Sequence, residues 1–286
     1  SNMFQTTNYQ GECSPGWSYY LDNKMEFLDA PGEWIFDSPT SKVLMYRNKP
    51  LNNEQAFFAS FIDNGIILQK HVSNVVIDRL KISYYSSDGL ALKGKNENIQ
   101  VTNCAFQSIH RNAINCVVHG SELVIKNNYI ADVYGRGISL QESGNCEISH
   151  NILKRIGMKA AYGIDGPNGA IGISITNREG IIEDTRIGSK HNLVAHNCID
   201  STGYMGIRFD GAYSRCEYNS IKNVLLTLND GAGIHCWGAD STFTHRNIIR
   251  NNVIQNVLGN TLGTPSDHTM NNGIYLDNGA HHIQVI

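Results

Sequence analysis

The sequence predicts an all-β chain wound as a right-handed parallel β-helix, a single-stranded solenoid of about seven visible coils behind an irregular N-terminal β segment. Three observations predict it: two hydrophobic blocks that alternate along the chain, and a file of asparagines at a fixed place in one of them. Repetition at a period of 20 to 50 residues marks units that cannot bury a core alone and must stack.

The first block has the form Gly-(Ile/Leu)-x-hydrophobic. It occurs as Gly89-Leu90-Ala91-Leu92, Ala113-Ile114-Asn115-Cys116, Gly137-Ile138-Ser139-Leu140, Gly172-Ile173-Ser174-Ile175, Gly206-Ile207-Arg208-Phe209, Gly233-Ile234-His235-Cys236 and Gly273-Ile274-Tyr275-Leu276. The starts lie 24, 24, 35, 34, 27 and 40 residues apart, so a minimal coil of 24 is interrupted by insertions. Loops on a fixed frame behave in this way.

The second block runs over Ile77–Ile82, Val101–Phe106, Ile125–Ile130, Ile148–Leu153, Val194–Ile199, Cys216–Ile221 and Ile249–Ile254. One position in it reads Leu80, Cys104, Asn128, Asn151, Asn197, Asn219, Asn252. Successive asparagines at one turn predict a ladder, because the amide can bond to the neighbouring coil and the residue tolerates left-handed backbone.

Within both blocks the apolar residues alternate with a period of two, which describes half-buried strands; a helix repeats at three and four. Two or three short strands are expected per coil. A leucine-rich horseshoe needs a denser leucine consensus, and propeller blades need hairpins of their own; the columns fit neither.

The 286 residues are 41% hydrophobic and 17% charged, with 27 Gly and only 6 Pro, which leans towards strands and turns. A net charge of −3 leaves no broad basic surface for a phosphate backbone, so nucleic acid is not an expected partner. No apolar run is long enough for a membrane span, and no membrane partner is expected. Ser1-Asn2-Met3 reads as a vector-derived pair ahead of an initiator methionine, so the lack of a signal peptide carries no weight. The seven cysteines (Cys13, Cys104, Cys116, Cys146, Cys198, Cys216, Cys236) lie far apart without a C-x-x-C pair. They are expected to be buried thiols, with Cys116 and Cys236 in the core column; no metal site is expected.

Residues 1–70 depart from the repeat and are expected to be a β segment capping the solenoid of residues 71–286. The final His281-His282-Ile283-Gln284-Val285-Ile286 reads as the start of an eighth inner strand without a cap, so a fragment, a truncated product or a self-associating homo-oligomer is expected. Three insertions stand out: 157–171 with Asp165 and Asn168, 178–190, and 258–272 with Asp267 and His268. Long loops on one face of a solenoid commonly build its binding site.

With the aliphatic residues inward, the residues beside them form two outward columns. One reads Ala91, Asn115, Ser139, Ser174, Arg208, His235, Tyr275; the other reads Lys93, Val117, Gln141, Thr176, Asp210, Trp237, Asp277. Charged and aromatic side chains concentrate in the last three coils. An aromatic platform, Trp237, among forked polar groups has the composition of a saccharide subsite. Asp210 and Asp277, two rungs apart, are expected about 9 to 10 Å from each other, and Asp230 offers a closer partner to Asp277.

The segments Leu28-Asp29-Ala30-Pro31-Gly32-Glu33-Trp34 and Val43-Leu44-Met45-Tyr46 resemble the opening module of bacterial right-handed β-helix repeat proteins of the glycoside hydrolase and pectate lyase-like class. So do Asn229-Asp230-Gly231-Ala232-Gly233-Ile234 and Gly273-Ile274-Tyr275-Leu276-Asp277-Asn278-Gly279-Ala280. The resemblance implies a secreted or periplasmic enzyme acting on a polysaccharide or oligosaccharide, with Asp230 and Asp277 as candidates for acid and base.

The leading expectation is a glycoside hydrolase using Asp230, Asp277 and Asp210 with His235, and binding substrate through Arg208, Trp237, Tyr275, His268 and Asp267, without a cofactor. A polysaccharide lyase is the alternative; it would abstract a proton beside a uronate through His235, Arg208, Tyr275 or His268, often with calcium. A non-catalytic carbohydrate-binding or adhesion module is the third.

Overall fold

The computed structural model describes residues 15–16, 24–50, 58–159, 169–177, 188–239 and 242–286. Cys13, Asp165, Asn168 and most of the 178–190 insertion lie outside them. The chain forms two units, Ser1–Ala59 with Gly263–Pro265, and Ser60–Leu262 with Ser266–Ile286.

In the first unit Trp34–Asp37 and Lys42–Met45 form an antiparallel hairpin in the register Trp34↔Met45. Glu33 organises the turn before it, its Oε2 accepting the Asp29 and Ala30 N–H groups at 2.9 Å each. Gly32 there sits at φ +96°, a conformation that L side chains rarely adopt.

The second unit is a parallel winding with three strands per coil, and consecutive strands of a coil fall in three different sheets. Sheet I stacks eight strands: Ile66–Leu68, Leu90–Leu92, Ile114–Cys116, Ile138–Gln141, Ile173–Thr176, Ile207–Phe209, Gly231–Gly238 and Asn271–Asn278. Sheet II runs from Ser73–Asp78 to Gln284–Val285, and sheet III from Lys81–Ser83 to Val253–Val257. Ile114, Ile138, Ile173, Ile207, Ile234 and Ile274 pair in one unbroken register. From Leu90 to Ile234 this file is fully buried.

Two sequence expectations shift here. The winding begins before the expected boundary at 70, because Gly65-Ile66-Ile67-Leu68 is one more copy of the first block, pairing Ile66 with Leu90. The final residues do not start an inner strand of sheet I; Gln284–Val285 pairs with Ile248–Arg250 in sheet II. The glycine that opens most first blocks has a steric cause, although Ala113 opens one of them and an added Cβ at Gly273 would meet nothing within 4 Å. At Gly172 and Gly206 an added Cβ would lie 2.6 and 2.7 Å from a carbonyl oxygen of the next coil.

The corner between sheets II and III carries the asparagine ladder. Asn128 Nδ2 donates to Asn151 Oδ1, Asn151 to Asn197 and Asn197 to Asn219, each at 3.0 Å, and Asn219 to Asn252 at 2.9 Å. Each amide also donates to a strand carbonyl, as Asn197 does to Ile148 O at 2.9 Å. Left-handed backbone belongs to the residue before each ladder asparagine, at Asn127, His150, His196 and Tyr218, all at φ 57°. The ladder residues thus act through hydrogen bonds, and their neighbours make the bend.

A second polar column at the corner between sheets I and II was not legible as a repeat. Asn192 Oδ1 accepts the Cys146 N–H, Ser214 Oγ accepts the Asn192 N–H and Asn247 Oδ1 accepts the Ser214 N–H, at 2.9 to 3.0 Å. Cys104, Cys116, Cys146, Cys216 and Cys236 are buried free thiols, whereas Cys198 is only half-buried. Burial pushes the Cys146 thiol up to about 12, which suits packing better than nucleophilic chemistry.

Candidate active site

The register places Arg208, His235 and Tyr275 side by side on three successive strands, with Trp237 paired to Asp277. Parallel pairing therefore assembles the expected C-terminal patch from residues far apart in sequence. Its exposure differs from expectation. Asp210 is 0% exposed and His235 5%; outward of the aliphatic core does not mean open to water here.

The segment after Trp237 folds back on it. The Phe243 ring packs edge-on against Trp237 at 5.1 Å, and Thr244 Oγ1 donates to Trp237 O at 2.5 Å. The Arg208 guanidinium lies 5.7 Å over the Trp237 ring, a cation–π contact.

Asp210 is fully engaged. Its Oδ2 accepts Arg208 Nε at 2.8 Å and its Oδ1 accepts the Trp237 N–H at 2.9 Å. Burial raises its carboxyl to about 6 in spite of the Arg208 charge beside it. Asp210, expected among the catalytic carboxylates, has no exposed surface in this arrangement, and both its oxygens are held by Arg208 and the Trp237 backbone.

His235 Nε2 faces Asp277 Oδ2 at 3.4 Å, and the His235 ring meets Tyr275 edge-on at 5.2 Å. Its Nδ1 is buried without a hydrogen-bond partner among the described residues. Burial, reinforced by the Arg208 charge and opposed by Asp277, lowers the imidazole to about 4, so at neutral pH it is an uncharged partner for Asp277.

Asp277 keeps its side chain 25% exposed. Asp230 stands exposed at the start of Gly231–Gly238 in left-handed backbone, φ 57°. Its carboxyl is held above the usual range by desolvation and then by the charge of Asp277.

Tyr204 was missed by sequence reasoning because it lies in neither column. Its hydroxyl donates to Asp230 O at 2.6 Å. Burial, and then the charge of Asp230, drive its phenol well above the ordinary value. Among the described residues, no side-chain contact brings Asp267 or His268 into this cluster. They form their own exposed pair, Nδ1 to Oδ1 at 2.8 Å, with only the His268 carbonyl meeting the Asn229 amide at 3.3 Å. Among the described residues no group of three or more His, Cys, Asp or Glu could hold a metal ion. No helix among them is long and apolar enough to cross a membrane.

The buried pair Asp210 and His235 gives a pH prediction. The raised Asp210 keeps its proton longer in the folded state, so its contribution to stability falls as pH rises from about 4 to 6. The depressed His235 binds its proton more weakly folded than unfolded, so its contribution falls as pH drops from the ordinary histidine range towards 4. Relative to wild type, Asp210→Asn is expected to make stability climb more steeply between pH 4 and 6, and His235→Asn less steeply. Urea midpoints across that range check it; identical slopes for all three proteins would refute it.

The family model described as "Right handed beta helix region" matches residues 52–179 and 125–286, and the chain belongs to that family. Among solved structures it is similar to DFA-IIIase from Arthrobacter chlorophenolicus A6 in complex with GF2, at 10% identity and a TM-score of 0.51, covering 78% of this chain and 51% of that one. The same enzyme in complex with DFA-III, as a mutant, gives a TM-score of 0.53 over 79% of this chain and 54% of that one, again at 10% identity. An alginate lyase from Paenibacillus sp. str. FPU-7 aligns at 11% identity and a TM-score of 0.37, covering 78% of this chain and 92% of the lyase. The chain thus spans about half the length of the DFA-IIIase chains. No curated protein matches the sequence.

Proposed function

We propose that this chain is a carbohydrate-active enzyme, a glycoside hydrolase acting on an oligosaccharide or polysaccharide outside the cytoplasm. The observation that carries the reading is the strand register that gathers Arg208, His235, Trp237, Tyr275 and Asp277 on one patch, with Asp230 exposed at the entry of Gly231–Gly238, where desolvation and then the charge of Asp277 raise its carboxyl. Asp230 is the proton donor to the leaving oxygen, and Asp277 is the carboxylate that activates water or attacks the sugar. His235 fixes Asp277 by a neutral hydrogen bond, while Arg208, Trp237, Tyr204 and Tyr275 supply the polar and aromatic contacts a sugar ring needs. The solved structures of DFA-IIIase, named with GF2 and DFA-III, lend support only through the fold they share.

One observation favours a second reading. The unpartnered Nδ1 of an uncharged His235 has the form of a base for a lyase, in which calcium would neutralise a uronate. A panel of neutral and uronate-containing glycans, incubated with and without a chelator, separates the two. New reducing ends without an ultraviolet-absorbing unsaturated product are expected. Unsaturated ends would establish the lyase, and affinity without turnover would leave a binding module.

A further inference from the structure

A cleft of about 420 Å³ lies at the corner between sheets I and II on earlier coils, lined by residues between His71 and Gly188. The register 73↔97 and 96↔120 puts His71, Lys95 and His119 at one place on three successive coils. Glu142 follows on the next coil, where Ser121 bridges to Gly144. None of these residues belongs to the cluster around Asp277.

The cleft contains polar atoms that the fold leaves unused. Asn96 is 1% exposed, its Nδ2 donates to Gly94 O at 3.0 Å, and its Oδ1 has no partner. His119 Nδ1 is likewise buried without a hydrogen bond, 3.5 Å from Glu142 Oε2. Glu142 is itself buried at 6% exposure and adopts left-handed backbone at φ 49°. A buried amide oxygen left unsatisfied costs about 1 to 3 kcal/mol, and here Asn96 Oδ1 and the His119 Nδ1 nitrogen both belong to residues that line this cleft. Around them the rim carries the Lys95 ammonium and the Ser73 and Ser121 hydroxyls.

The ligand chemistry follows from this distribution. One ammonium, Lys95, stands against two carboxylates, Glu97 and Glu142, so the cleft offers no cationic field for an anionic ligand. With Lys95 beside Glu97 and Glu142, a cationic ligand meets no strong field either. Acceptors inside and donors at the mouth suit groups that both give and receive hydrogen bonds, and the volume falls within the range of small-molecule sites. We infer that this cleft is a second binding site, for a neutral polyhydroxylated sugar residue. The inference goes beyond the catalytic reading and stands on different residues.

The test uses full-length protein carrying ¹³C-labelled histidine, titrated with maltotriose and raffinose. Trigalacturonate and a glucosamine trimer serve as charged comparators. The His71 and His119 ring signals report this cleft, and the His235 signal reports the other site. A neutral trisaccharide is expected to move His71 and His119 in the wild type and equally in the Asp210→Asn, Asp277→Asn double variant. Ser121→Trp, which fills the cleft from its rim, should abolish the response. Glu142→Gln should raise Kd about tenfold or more.

A neutral sugar that moves His235 alone overturns this inference and leaves the catalytic reading standing. Movement of His71 and His119 without His235 supports it at the expense of that reading. A response only to a charged comparator, an unchanged response in Ser121→Trp and Glu142→Gln, or no shift up to about 10 mM sugar overturns it.

Discussion

Asp277→Asn is expected to lower kcat by about 10² to 10⁴-fold on whichever glycan the screen identifies, with little change in KM. General acid and base groups contribute about that much, and the carboxamide keeps the shape of the side chain facing His235. Asp230→Asn should fall in the same range, because an amide cannot protonate the leaving oxygen. Asp210→Asn should behave differently. Its carboxylate is bound to Arg208 and the Trp237 N–H, so on the proposed reading its effect should be spread over KM and kcat and be smaller. Steady-state kinetics on the three variants decides the matter. If Asp210→Asn costs as much kcat as Asp277→Asn, with KM unmoved, the division between acting and positioning carboxylates is wrong.

The second large effect concerns folding. Asn197→Ala removes the acceptor of the Asn151 N–H and Nδ2 groups and the donors to Ile148 O and Asn219 Oδ1, all buried. Several buried polar groups lose partners at once, so a loss of about 3 to 5 kcal/mol is expected, near the upper end for single substitutions. Asn252→Ala should cost less, about 1 to 2 kcal/mol, because its bonds lie in a part-buried region where water can replace them. Urea unfolding of both variants checks the difference. Equal losses, or less than about 1 kcal/mol for Asn197→Ala, would mean that the ladder is not what holds this corner.

Much of this architecture was legible because its signals are columns of like residues. Ile114, Ile138, Ile173, Ile207, Ile234 and Ile274 repeat one chemistry, and five asparagines repeat another. The corner with Asn192, Ser214 and Asn247 escaped notice because two residue types, Asn and Ser, share one hydrogen-bonding task there. The first coil was missed at Gly65-Ile66-Ile67-Leu68, although its block has the same form, because residues 1–70 as a whole break the pattern.

Site membership was also partly legible. Arg208, His235, Trp237, Tyr275 and Asp277 sit together because strand register is a property of the repeat. Their solvation was not legible, since the alternation of a strand says which face a side chain takes and not what covers that face; Asp210 and His235 are buried. Tyr204 reaches Asp230 from a corner that carries no pattern. Asp267 and His268 were singled out for being polar in an insertion, which says nothing about where their side chains point.

The asparagine corner has one further property. Between sheets II and III the same two-residue step recurs on every coil, from Asp78 to Lys81, from Thr102 to Ala105, and on to Arg250 and Val253. The extra residues of the longer coils enter instead on either side of sheet I, after Ile156 or Val257 on one side and after Thr176 or Gly238 on the other. A spine of constant length therefore faces margins that can grow, and sequence change by insertion is confined to the borders of the one sheet that carries the candidate chemistry. Relatives could exchange those margins, and with them their ligands, while keeping the same spine.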